Sequence, residues 1–91
     1  MTILAIDQGT TSTRALLVSP SGIRPLASFA HRQHYPAPDH VEHDPADLLS
    51  HIRACLAAAA DVPGLRAVAL THQGESCLAW DRLTGDPLTP V

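Results

Sequence analysis

With 91 residues, the chain has room for one small domain that buries roughly 60–65% of its unfolded surface. Hydrophobic residues make up 45% and charged residues 16%, a globular rather than a disordered composition. Aromatics are only 3%, the net charge is −3 and no basic patch stands out, which excludes base stacking and phosphate-backbone binding as the business of this chain.

In chain order, Ile3 to Ile6 is a short aliphatic run that predicts a strand buried on both faces. Asp7 ends the run, and Gly9 lets the chain turn sharply. Thr13 to Val18 alternates as a second strand, with Thr13, Ala15 and Leu17 on one face and Arg14, Leu16 and Val18 on the other. Ser19-Pro20-Ser21-Gly22 suits a type I turn. Ile23 to Gln33 returns as a third strand, bent or bulged near Pro25, which places it at an edge. These three strands read as a β-meander and not as a βαβ unit.

Tyr35-Pro36-Ala37-Pro38 is extended. A helix then starts on Asp44 as N-cap with Pro45 at its first position and runs to about Ala60. Leu48, Leu49, Ile52, Cys55, Leu56 and Ala59 form its apolar stripe, His51 and Arg53 face away, and Pro63-Gly64 closes it. Leu65 to Leu70 is a further strand on which His72-Gln73-Gly74-Glu75 forms a polar break. Ser76 to Trp80 reads as another strand, Asp81 to Pro87 as a hairpin connection, and Leu88 to Val91 as the start of a return strand. A strand cut off at its start suggests a piece of a longer protein.

The longest apolar run, Ala54 to Ala60, is too short to span a bilayer, and nothing at Met1-Thr2 resembles a signal peptide. Cys55 and Cys77 lack C-x-x-C spacing and read as reduced, buried thiols, so the chain is expected to be soluble and cytoplasmic, with no membrane and no nucleic-acid partner. His31, His34, His40 and His43 lie close in sequence, but their spacing matches no standard zinc ligand set.

Two clusters carry chemistry. In the first, Asp7 offers a carboxylate for magnesium, Gly9 permits close backbone approach, Thr10, Thr11 and Ser12 supply donors, and Arg14 can reach phosphate oxygens. The same residue types also suit a plain β-turn. In the second, Glu75 follows a strand end, where ligands bind in open α/β sheets, and a carboxylate can accept from two adjacent hydroxyls. A solvated loop is the alternative there.

Taken whole, Ile6-Asp7-Gln8-Gly9-Thr10-Thr11-Ser12-Thr13-Arg14 resembles the N-terminal phosphate loop of the FGGY carbohydrate kinases, the glycerol kinase branch in particular. Tyr35-Pro36, Val41-Glu42-His43-Asp44-Pro45, Ala67 to Thr71 with Gln73 and Glu75, and Thr84-Gly85-Asp86-Pro87-Leu88 resemble further stretches of that family in the same order. The resemblance implies a mixed α/β fold of the ribonuclease H-like, actin-like ATPase type, with residues 1–91 forming an incomplete N-terminal domain. It implies ATP-dependent phosphorylation of a polyol or sugar hydroxyl, with ATP and Mg2+. Gly9, Thr10, Thr11, Ser12 and Arg14 would bind nucleotide phosphates, Asp7 would hold magnesium through water, and Glu75 and Gln73 would bind substrate.

The resemblance also implies that the general base is an aspartate beyond Val91, so the 91 residues alone would not turn over. It leaves room for a homo-oligomer when full length. Gly74 departs from the pattern, standing where the glycerol kinases have arginine, and His72 replaces an asparagine. Removing the arginine deletes donors and opens space, which favours a larger polyol or a sugar. The rival readings are a non-catalytic scaffold domain of actin-like fold and an inactive truncated product.

Overall fold

The computed structural model describes residues 1–91. Strands β1 (Thr2–Gln8), β2 (Ser12–Ser19) and β3 (Gly22–Ala30) are followed by helix α1 (Pro45–Ala58) and strand β4 (Leu65–Thr71). They form one four-stranded sheet in the order β3-β2-β1-β4. The β1–β2 and β2–β3 pairs are antiparallel, so the expected meander is present, while β4 pairs parallel to β1 after the helical crossover. The register between β2 and β3 shifts beside Pro25, which has no N–H to give to a ladder. Gly22 supplies the positive φ of 130° that opens β3 after the turn.

Alternation puts Leu4, Ile6 and Gln8 of β1 and Thr13, Ala15 and Leu17 of β2 on one buried face. Leu48, Cys55 and Ala59 of the α1 segment pack down on it, with Ile52 beside them. Asp44 caps the helix, its carboxylate accepting from Ala46 N–H at 2.8 Å. The core is therefore one-sided.

Several expectations need correction. β1 is not buried on both faces: Ile3, Ala5 and Asp7 are only half-buried, because the single helix covers one side of the sheet. Leu49 and Leu56 are exposed, since residues 48, 52, 55 and 59 already complete the line that meets the sheet. His51 does not face away; its ring stacks on Phe29 with centroids 5.7 Å apart. Cys77 is exposed rather than buried. Ser76–Trp80 and Leu88–Val91 form no strands, and only an isolated bridge joins Trp80 to Pro87. Pro87 and Pro90 lack the N–H groups a ladder would need. What closes this segment is a turn held by the Asp81 carboxylate, which accepts from the backbone N–H groups of Leu83 and Thr84. Those two donors hold the Asp81 carboxyl below its ordinary pKa. No helix is long and apolar enough to cross a membrane.

Candidate functional site

The end of β1 and the start of β2 are joined by a tight turn closed by Gly9 N–H donating to the Ser12 carbonyl at 2.9 Å. A β-carbon on Gly9 would stand 3.2 Å from that same carbonyl, so the close approach favours glycine. The next three carbonyls are all drawn into the protein. Gly9 O accepts from Gln8 Nε2 at 2.8 Å and Gln73 Nε2 at 3.4 Å, Thr10 O accepts from His43 Nε2 at 2.8 Å and Gln33 Nε2 at 3.3 Å, and Thr11 O accepts from the His31 backbone N–H at 2.8 Å. A carbonyl oxygen only accepts, so His43 carries its proton on Nε2.

In a trans peptide plane, C=O and N–H point in opposite directions. Fixing the Gly9 and Thr10 carbonyls inward therefore turns the N–H groups of Thr10 and Thr11 outward, and neither finds an acceptor in the protein. Two such donors beside the exposed hydroxyls of Thr10 and Thr11 make a concave site for an anion.

His43 is the central strut of this turn: it is 3% exposed and stands against His31 with ring centroids 5.9 Å apart. His31 in turn meets the buried Thr13 hydroxyl through Nε2 at 2.8 Å and His51 through Nδ1 at 2.9 Å. Burial lowers the His31 pKa, and His51 and His43 lower it further, against smaller raising effects from Asp47 and the Ser12 backbone. These supports escaped sequence reasoning. One signal was present: Thr13 falls in the core-facing alternation of β2, and a buried hydroxyl requires a partner.

Asp7 and Arg14 are direct cross-strand neighbours on the sheet face opposite α1. Arg14 Nη2 donates to Asp7 Oδ2 at 2.8 Å, with the side chains 56% and 38% exposed. A half-exposed pair of this kind contributes less than about 1 kcal/mol, so both groups remain available to a ligand. No cluster of three or more histidine, cysteine or acidic side chains is arranged to hold a metal. The remaining oxygen of Asp7 fits magnesium only in the manner magnesium prefers, through one carboxylate, waters and phosphate oxygens.

The two predicted clusters meet at Gln73. Thr10 Oγ1 donates to Gln73 Oε1 at 3.0 Å, and a cleft of about 430 Å³ is lined by Thr10, His43, Gln73, Glu75, Ser76 and Cys77, among others. Glu75 makes no hydrogen bond or ion pair inside the protein, and a β-carbon at Gly74 would meet nothing within 4 Å. Thr11 and Ser12 share the turn, whereas Asp7 and Arg14 lie apart from the cleft lining.

The chain is similar to known proteins over nearly its whole length. The profile of the FGGY family of carbohydrate kinases, N-terminal domain, matches residues 2–91. Glycerol kinase of Aromatoleum aromaticum (strain DSM 19018 / LMG 30748 / EbN1) is 44% identical over 95 residues, covering 98% of this chain and 19% of that protein. Glycerol kinase of Methylobacterium nodulans (strain LMG 21967 / CNCM I-2342 / ORS 2060) is 50% identical over 90 residues, covering 92% and 18%. The crystal structure of Plasmodium falciparum glycerol kinase with ADP superposes with a TM-score of 0.83 at 28% identity, covering 98% of this chain and 19% of that one. Xylulose kinase from Rhodospirillum rubrum gives 0.81 at 29% identity, covering 99% and 20%. The chain thus spans about a fifth of the length of the relatives it matches. The extent of the family match, together with the conserved geometry of the sheet, establishes that the chain belongs to the FGGY family of carbohydrate kinases.

Proposed function

We propose that this chain provides the phosphate-binding half, and part of the substrate-binding half, of a cytoplasmic kinase that transfers the γ-phosphoryl group of ATP to a polyol or sugar hydroxyl. Residues 1–91 are then the first portion of its N-terminal domain. The observation that carries the reading is the turn at Gly9–Ser12, whose carbonyls are tied inward and whose Thr10 and Thr11 N–H groups face out beside the cleft that Glu75 lines. Phosphoryl transfer asks the protein mainly for positioning and charge stabilisation. Gly9, Thr10, Thr11 and Ser12 hold the phosphates, and Arg14 exchanges its contact with Asp7 for a phosphate oxygen. Asp7 holds magnesium through water, and the ion supplies charge neutralisation on the phosphate oxygens when bound. Glu75 accepts from adjacent substrate hydroxyls and orients them. The group that takes the hydroxyl proton comes from elsewhere in the full-length protein. A β-carbon at Gly74 would meet nothing within 4 Å, and the lack of a side chain beside Glu75 supports a substrate longer than glycerol. Two free cysteines accord with a reducing compartment.

The test uses the full-length protein and a panel of glycerol, four- and five-carbon polyols and ketoses with MgATP. Phosphorylation is expected to extend beyond glycerol, and Asp7→Ala is expected to lower kcat/KM on the best substrate by a factor on the order of a hundred or more. A wild-type rate in Asp7→Ala would refute the role of Asp7, and activity confined to glycerol would refute the role of Gly74.

A further inference from the structure

We propose that Gln73 is a positioning residue that couples the two halves of the site, aiming the phosphate turn from the loop that carries the substrate-side carboxylate. The inference rests on the nucleotide reading given above and assigns Gln73 to the turn rather than to the substrate. Gln73 follows β4 by two residues and precedes Glu75 by two, yet both ends of its amide are spent on the turn at the end of β1. Nε2 donates to Gly9 O at 3.4 Å, and Oε1 accepts from Thr10 Oγ1 at 3.0 Å. The orientation of the amide is fixed by chemistry: flipping it would set two carbonyl oxygens against each other at Gly9, while the Thr10 hydroxyl could serve either orientation.

The bond to Gly9 matters because of what lies on the other side of that peptide plane. Gly9 C=O and Thr10 N–H belong to one rigid unit, so holding the oxygen between Gln8 Nε2 at 2.8 Å and Gln73 Nε2 at 3.4 Å aims the Thr10 N–H outward. The neighbouring plane is held separately by His43 and Gln33 at Thr10 O. Gln73 is therefore the one side chain from the β4 loop among four ties, the others coming from Gln8 of β1, Gln33 after β3 and His43 before α1. A movement of that loop when Glu75 engages substrate changes the aim of a phosphate donor, and a bound phosphate biases the loop in return; linkage makes the two effects equal.

The experiment measures MgATP affinity by calorimetry on the full-length protein, with no polyol present. Wild type is compared with Gln73→Met, Thr10→Val and the double variant. Methionine keeps the length of the side chain and removes both polar ends. Gln73→Met is expected to bind MgATP roughly three- to tenfold more weakly, the scale of one or two modest hydrogen bonds. The double variant is expected to lose less than the product of the two single losses, because each single change already frees the other residue. A merely structural role for Gln73 would leave affinity unmoved once the melting temperature matches wild type. If Gln73→Met melts early, Gln73→Asn, too short to reach Gly9, replaces it with the same expectation. Wild-type affinity in the Gln73 variant, or losses that multiply, overturns the coupling and leaves the proposed function standing. No MgATP binding by wild type overturns both.

Discussion

Thr13 is a hydroxyl among Leu4, Ile6, Ala15 and Leu17 on the buried face, and its burial is tolerated because His31 Nε2 meets it at 2.8 Å. The second nitrogen of His31 faces His51 Nδ1 at 2.9 Å, where one nitrogen must donate and the other accept. Both rings cannot be fully protonated and keep this contact. The titratable groups facing His31 are His43 from the segment before α1 and Asp47 and His51 from α1 itself, while β2 offers only the uncharged Thr13 and the Ser12 backbone. With its folded pKa held below the ordinary value of 6.5, His31 binds protons more readily in the unfolded chain. Stability contributed by the neutral ring is thus complete above the ordinary histidine range and is lost as pH falls below it. Urea midpoints of the full-length protein are expected to drop between pH 7.5 and 5.5, and His31→Phe is expected to flatten that dependence while lowering the pH 7.5 value. An unchanged slope in His31→Phe would disprove the assignment. In the sequence, Asp7, the Gly9–Ser12 turn, Arg14 and Glu75 stand out as candidates through their residue types together with the family resemblance. The sequence hid the histidine support because His31, His43 and His51 come together only through the packing of α1 on β2 and β3.

Among the elements, those whose signals were local were read correctly: the meander, the bulge beside Pro25 and the N-terminus of α1. Errors arose where tertiary context decided. A run such as Ile3–Ile6 looks the same whether one or two layers cover it, and the helix covers only one side here. Ser76–Trp80 has strand composition but faces a segment carrying Pro87 and Pro90, so no ladder forms. The cap at Asp44 is the element feature with the clearest consequence, since α1 brings Asp47 and His51 to the turn supports. Asp44→Ala is expected to cost about 1 kcal/mol locally, which raises amide exchange in the first turn of α1 roughly fivefold, while Asp44→Asn, an equally good cap, leaves it unchanged. Hydrogen-exchange mass spectrometry on the peptide spanning residues 44–52 reads the difference. Equal exchange in Asp44→Ala and wild type would show that packing, not the cap, sets this end of the helix.

Across the whole molecule, the chain is looser than its length requires. Its accessible surface is 6312 Å², against about 5,100 Å² expected for a free-standing domain of 9.7 kDa. Its radius of gyration is 14.9 Å, where roughly 12 Å is typical of this length. The excess is concentrated in identifiable places. Leu65 of β4 packs on the core cluster, but Val68 and Leu70 are 51% and 53% exposed although they lie in an aliphatic strand at the sheet edge. Leu78, Trp80, Leu83 and Leu88 add further apolar surface beyond it. An open, aliphatic edge strand is a template for pairing with another chain. Residues 1–91 expressed alone are therefore expected to bind a hydrophobic dye, to melt broadly and to self-associate with rising concentration. Val68→Lys with Leu70→Lys is expected to suppress that association in the isolated chain. In the full-length protein, the same pair of changes is expected to lower stability, because lysines there displace whatever packs on β4. A sharp, concentration-independent melt of the isolated chain without dye binding would show that the one-sided core suffices. Full-length protein indifferent to the two lysines would show that β4 stays open in the complete fold.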